Sequence, residues 1–265
     1  MLLTTTNSLN SMNNDNLKPT TELAHRGRMV FGLIAALYSF YLFLVLANGF
    51  AQYITDTSPN AAQNWQFFYY FTTQSNILVL LWLVTFAIAT LGSGRLSVVA
   101  NRLVNKGIVL GLTLYMIVVF FVVACILDPF YAGAFQPVPS GGQLYEHVIS
   151  PMLMLVIYLV YPLRGKTSWR TVLAWMSYLI LYVCLANIVG ARTYFHDDGT
   201  AAYPYNFLNP HNYANIALYL LTILGLTLVC FLVGMGLMRL RRQFNASLQA
   251  APFRELPAAA PSVML

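Results

Sequence analysis

The stretch Arg26-Gly-Arg-Met-Val-Phe-Gly-Leu-Ile-Ala-Ala-Leu-Tyr-Ser-Phe-Tyr-Leu-Phe-Leu-Val-Leu-Ala47 opens with two cations, and no charge follows them until Asp56. A bilayer core of about 30 Å is crossed by roughly 20 helical residues, so the apolar run from Met29 to Ile54 is long enough to span it. Four further runs have this character: Phe67 to Leu91, Ile108 to Leu127, Thr171 to Ala191 and Ala214 to Met238. A sixth, His147 to Leu163, is shorter. A transmembrane barrel strand needs only about 10 residues of alternating polarity. Continuous runs of this length therefore predict an all-α membrane protein, a bundle of six transmembrane helices.

The charges give the map a direction. Of the 14 Lys and Arg residues, 13 fall before, between or after the runs on one side: Lys18, Arg26, Arg28, Arg95, Arg102, Lys106, Arg164, Lys166, Arg170, Arg239, Arg241, Arg242 and Arg254. Arg192 alone falls on the other. Short loops rich in Lys and Arg stay cytoplasmic, which places both termini inside and three loops outside. Composition divides the chain into a polar tail over residues 1–27, a membrane domain over 28–240 and a Pro/Ala-rich tail over 241–265. Both tails lack the apolar content for a core and are expected to be disordered. No cleavable signal and no organelle address is visible, so a multi-pass protein of a bacterial inner or plasma membrane is expected.

The chain is 58% hydrophobic and 8% charged, against about 25% charged in an ordinary soluble domain. Its net charge of +6 sits beside span ends, the pattern of topology signals and anionic lipid contact. Membrane lipids, not nucleic acid, are the expected partners. Cys125, Cys184 and Cys230 all lie within spans and imply packing, not a disulfide framework. His196, His211, Asp197 and Asp198 share an outer loop without a tight ligand spacing, and no Gly-rich phosphate loop or Gly-x-Ser-x-Gly elbow occurs. No metal or cofactor is expected.

The second run is interrupted by five polar residues, Thr72-Thr-Gln-Ser-Asn76. Thr72, Ser75 and Asn76 are spaced i, i+3, i+4 and share a helix face, which must look into the bundle because lipid offers no hydrogen bonds. The run from His147 begins Glu146-His-Val-Ile-Ser-Pro151, with Pro151 read as lying in the first helical turn, where its missing N–H is harmless. Alternating topology brings Thr72, Ser75, Asn76, Asp128, His147 and Asn187 to one depth beneath two outer loops, Asp128 to Gln143 and Thr193 to Tyr213. The aromatics Tyr131, Phe135, Tyr145, Tyr194, Phe195, Tyr203, Tyr205 and Phe207 in and beside those loops fall at the outer interface and read either as an interfacial belt or as a lid. Ser, Thr and Asn in spans often only bond helices together, whereas an imidazole near a bundle core can take a proton.

At Phe71-Thr-Thr-Gln-Ser-Asn76, His147-Val-Ile-Ser-Pro151 and Tyr203-Pro-Tyr-Asn-Phe-Leu208 the chain resembles the bacterial predicted six-helix integral membrane protein family, over about residues 28 to 240. That family is distantly similar to the androgen-induced and androgen-dependent membrane threonine hydrolases, which cleave fatty acid esters of hydroxy fatty acids. The resemblance implies Thr72 as nucleophile and His147 as base. Thr73 follows directly, about 100° away around the helix, so only one of the two faces His147. Ser75, Asn76 and Asn187 are candidate substrate or oxyanion donors, and Asp128 and Glu146 candidate orienting groups for the imidazole. The implied activity is hydrolysis of a lipid ester that enters from the outer leaflet. The alternatives are a small transporter or channel whose pathway follows the polar band, and a non-catalytic scaffold that meets an external partner through its aromatic loops.

Overall fold

A computed structural model describes the backbone of residues 5–56, 65–124, 142–192 and 203–250, with side chains over 26–55, 67–124, 142–191 and 203–245. Among these residues the chain is helical and contains no strand. The main helices are α1 (Thr5–Asp56), α2 (Phe71–Leu91), α3 (Gly94–Leu103), α4 (Lys106–Val122), α5 (Ser150–Val160), α6 (Trp169–Arg192) and α7 (Ile216–Ala250). Asp128, Cys125, Tyr131, Phe135, Tyr194, Phe195, His196, Asp197 and Asp198 lie outside the described residues.

Five stretches are long and apolar enough to cross a membrane: Arg26–Thr55, Phe71–Leu91, Gly142–Val160, Trp169–Ala191 and Ile216–Asn245. Lys106–Val122 is a shorter apolar helix. Hydropathy alone marks the run from His147 as the short one. Helical backbone there begins at Gly142, ahead of Glu146 and His147, whose polarity hides the first turns from a hydropathy reading. The helical backbone also runs past the apolar stretches, from Thr5 at one end and to Ala250 at the other. Extending an established helix costs far less than nucleating one.

The central helix of the bundle is α4. Residues 109–116 of α4 are buried without interruption, the mark of a helix enclosed on all sides. Around it stand α2, α5, α6 and α7. Thr113 Oγ1 donates to Met154 O of α5 at 3.2 Å, and Tyr115 Oη donates to Trp175 O of α6 at 2.7 Å. Gly111 lets α6 come close, since a Cβ there would lie 1.9 Å from Trp175 Cδ2. Small residues let membrane helices approach closely where apolar attraction alone distinguishes poorly between helix and lipid. By contrast α7 is the least enclosed, with only 6% of its apolar window buried.

The basic end of the bundle is tied by polar contacts. Arg241 is 5% exposed, and its Nη2 donates to Tyr161 O at the end of α5 at 2.7 Å. Its guanidinium lies 5.6 Å from the Tyr158 ring centre. The amphipathic α3 lies in the connection between α2 and α4. Leu96, Val98, Val99 and Leu103 are exposed, and Trp82 Nε1 donates to Leu103 O at 3.2 Å. Asn101 Nδ2 donates to Ala89 O at 3.3 Å, which fixes α3 to the end of α2.

Gly111→Ala should lower the thermal midpoint of the detergent-solubilised protein, with a loss of about 1–3 kcal/mol typical of overpacking. The double variant Gly111→Ala/Trp175→Leu should recover part of that loss in the same melt, because the ring is what the new methyl meets.

Candidate functional site

The residues Tyr145–Ile149 form a π-helical turn between the short helix Gly142–Leu144 and α5. Ser150 N–H donates to Tyr145 O, five residues back, in place of the four-residue spacing of an α-helix. Pro151 supplies the reason. Its ring collides with the carbonyl four residues earlier in an α-helix and it has no N–H to offer it, and that carbonyl belongs to His147. Pro151 lies in the first turn of α5 proper, but helical turns precede it, so the backbone widens to accommodate the ring. His147, half-buried, is carried on this widened turn. Such π-bulges recur at functional sites.

Two side chains from other helices cap the carbonyls of the widened turn. Tyr38 Oη of α1 donates to Tyr145 O at 3.2 Å and lies 2.9 Å from Ser150 Oγ. Asn76 Nδ2 of α2 donates to Glu146 O at 3.3 Å and to Thr72 O at 3.0 Å. Asn76 thus joins the Thr72 turn to the backbone that carries Glu146 and His147. Its Oδ1 is buried and has no hydrogen-bond partner among the described residues. A buried acceptor without a donor costs about 1–3 kcal/mol, so this oxygen is a place for a proton to arrive.

Thr72 itself meets the last outer loop. Its Oγ1 lies 3.4 Å from Tyr205 Oη, and its N–H points to the same phenol oxygen at 3.4 Å. Burial pushes the Tyr205 phenol up from its ordinary value near 10, despite the opposing hydrogen bond from Thr72, so it is a protonated donor at neutral pH. Tyr205 is held from two sides. Its ring stacks on Phe207 at 5.4 Å, and Tyr70 approaches edge-on at 5.8 Å. The neighbouring Tyr203 packs on Gly190 of α6, where a Cβ would lie 2.5 Å from its ring. Thr73 is buried, and the described hydroxyl–phenol contact falls on Thr72.

The start of α2 is gripped by aromatic rings. Phe71 packs against Tyr115, Tyr178 and Tyr182 with centroids 5.6, 6.1 and 5.2 Å away. Tyr69 Oη donates to Ala186 O at 2.8 Å, Tyr182 Oη donates to Tyr69 O at 3.2 Å, and Tyr178 Oη donates to Gln74 Oε1. An apolar cavity of about 100 Å³ opens beside Phe71, with Tyr182, Phe207, Leu208, Ile223 and Cys230 among its walls. A larger groove of about 740 Å³ lies beside the widened turn, where Asn48, Gln52, Phe67, Gln143, Tyr145 and Glu146 face it.

The other candidate residues have different surroundings. Ser75 Oγ lies 2.7 Å from Phe71 O and 3.0 Å from Thr72 O, so its single proton is engaged on its own helix. Both amide protons of Asn76 are likewise engaged, which leaves its oxygen, not its nitrogen, for a guest. Asn187 links α6 to α7: its Nδ2 donates to Val183 O at 2.8 Å, and its Oδ1 accepts from Tyr219 Oη at 2.8 Å. Asp128 lies outside the described residues. Tyr38 and Tyr205 contribute what sequence reasoning missed. Tyr38 lies in an unbroken apolar run, and Tyr205 was one aromatic among many in its loop.

Asn76→Leu should lower the thermal midpoint, by an amount corresponding to about 1–3 kcal/mol, because it strips donors from two buried carbonyls. Tyr38→Phe should act in the same direction and less strongly, since Ser150 Oγ remains beside the turn; paired melts of the two variants in one detergent compare them. No protein-family model matches the chain, and no curated protein or solved structure matches it either.

Proposed function

We propose that the protein is a six-span intramembrane hydrolase of lipid esters, with Thr72 as nucleophile and His147 as base. The observation that carries this reading is the contact between Thr72 Oγ1 and the Tyr205 phenol, beside an apolar cavity that Phe71 and Phe207 help to wall. A threonine hydroxyl is a weak nucleophile until a base removes its proton. In the proposed reaction the neutral imidazole of His147 takes the Thr72 proton as Oγ1 attacks the ester carbonyl. The carbonyl oxygen becomes an oxyanion, to which the Tyr205 O–H donates. The ester C–O bond then breaks, the leaving alkoxide takes the proton from His147, and water cleaves the acyl-threonine by the same route in reverse. The acyl chain lies along the apolar cavity. Tyr205 takes the oxyanion role in place of Ser75 and Asn76, whose protons are engaged elsewhere. Both termini and the basic loops face the cytoplasm in this reading, and the ester enters from the opposite leaflet of the cell membrane.

A fluorophosphonate probe applied to the purified protein should label it, and labelling should be lost in both Thr72→Ala and His147→Ala. An unchanged signal in either variant overturns the assigned pair, provided that its thermal midpoint matches the parent's. Tyr205→Phe should retain the fold and reduce turnover of a long-chain ester by about 10²-fold or more, the usual cost of one oxyanion donor. Transfer of labelling dependence from Thr72→Ala to Thr73→Ala would identify the neighbouring hydroxyl as the nucleophile.

A further inference from the structure

At the basic end of the bundle a groove of about 710 Å³ runs between the start of α6 and the last turns of the apolar part of α7. Ser168, Trp169, Met235, Met238, Arg239 and Arg242 line it. Arg239 and Arg242 are exposed along one face of α7, and Arg170 stacks over the Trp169 ring at 5.6 Å. The groove therefore joins an apolar wall to two guanidinium groups with an indole at the rim. That is the division of chemistry found where a phospholipid passes from acyl chain to headgroup.

A second observation points to an anion. Arg241 is 5% exposed, and its Nε and Nη1 are buried without a hydrogen-bond partner among the described residues. It lies one turn along α7 from Met238, in the groove wall, and its guanidinium meets the end of α5, 5.6 Å from the Tyr158 ring centre and bonded to Tyr161 O. Among the described side chains the only carboxylate is Glu146, which lies before α5, at its opposite end. A buried charge without a counterion is costly, and none of the described side chains supplies one to Arg241.

We propose that this groove binds the phosphate of an anionic phospholipid, with Arg239 and Arg242 as its direct ligands and Ser168 and Trp169 at the headgroup level. The uncompensated charge of Arg241 adds to the attraction from beneath. The acyl chains lie against Met235 and the exposed flank of α7. The site is separate from the Thr72 site and does not depend on its chemistry. A free phosphate ion offers the same charge but not the chains, and the apolar wall selects the lipid.

The full chain in detergent micelles, titrated with phosphatidylglycerol, with phosphatidylcholine and with inorganic phosphate at matched ionic strength, tests this by native mass spectrometry. Phosphatidylglycerol should be retained at least about tenfold better than phosphatidylcholine, since each cation contributes about 1 kcal/mol at an anionic surface. Arg239→Gln/Arg242→Gln should lose that preference, and Arg95→Gln/Arg102→Gln, on the separate helix α3, should keep it. Equal retention of the two lipids overturns the proposal, as does an unchanged preference in Arg239→Gln/Arg242→Gln. Displacement of phosphatidylglycerol by inorganic phosphate at equal concentration identifies a free-anion site and overturns the lipid assignment. Esterase labelling at Thr72 should be unaffected by Arg239→Gln/Arg242→Gln, which separates this test from that of the hydrolase reading.

Discussion

A carbonyl packed away from water needs a donor from the protein, and the helical path through Pro151 creates a turn where the ordinary donors are displaced. The widened turn over Tyr145–Ile149 is what the proline ring requires, and its cost is met by groups from two other helices. Tyr38 reaches Tyr145 O from α1, and Asn76 reaches Glu146 O from α2. Each is a side chain that would be a liability in lipid, and each finds acceptors for its protons in this arrangement. The widened turn thus specifies which helices stand beside it, in a setting where apolar packing alone discriminates weakly between neighbours.

The opposite requirement governs the surrounding aromatic residues. Phe71, Tyr115, Tyr178 and Tyr182 give α2 a rigid apolar start, while the three tyrosine hydroxyls reach backbone or amide oxygens. Tyr203 and Tyr205 then bring the last loop down onto Gly190 and Thr72. A loop anchored by two rings holds a polar contact in place without a long run of its own secondary structure. Thr72 therefore meets a phenol, and its neighbour Phe71 walls an apolar cavity.

Much of the architecture was legible because the bilayer leaves few options. Arg28 followed by a long uncharged run is a helix long enough to cross, whatever its neighbours. The interruption Thr72–Asn76 also announced itself, since five polar residues in such a run need partners. What could not be read was which atoms those partners would use. Ser75 turned its proton to its own helix, and Asn187 joined α6 to α7; both are consistent with the helix-bonding role such residues often play. Tyr38 and Tyr205 carry no pattern that separates them from the other tyrosines, because their importance comes from tertiary geometry. Pro151 does lie in the first turn of α5, as read, but the widened helical turn that precedes it carries no mark in the sequence. The amphipathic α3 was likewise hidden among residues that read as a short loop.

The attachment of α3 to α2 makes the pair a gauge of depth. Leu96, Val98, Val99 and Leu103 favour the boundary between headgroups and acyl chains, where an amphipathic helix floats. If α3 lies at that boundary in a membrane, α2 carries Thr72 away from it by 19 residues of rigid helix, about 28 Å. The height of the threonine would then be set from the far leaflet, not from the surface nearest to it. In a bilayer thickened by longer chains the hydroxyl would sit further below the near surface, and in a thinned one it would rise toward water.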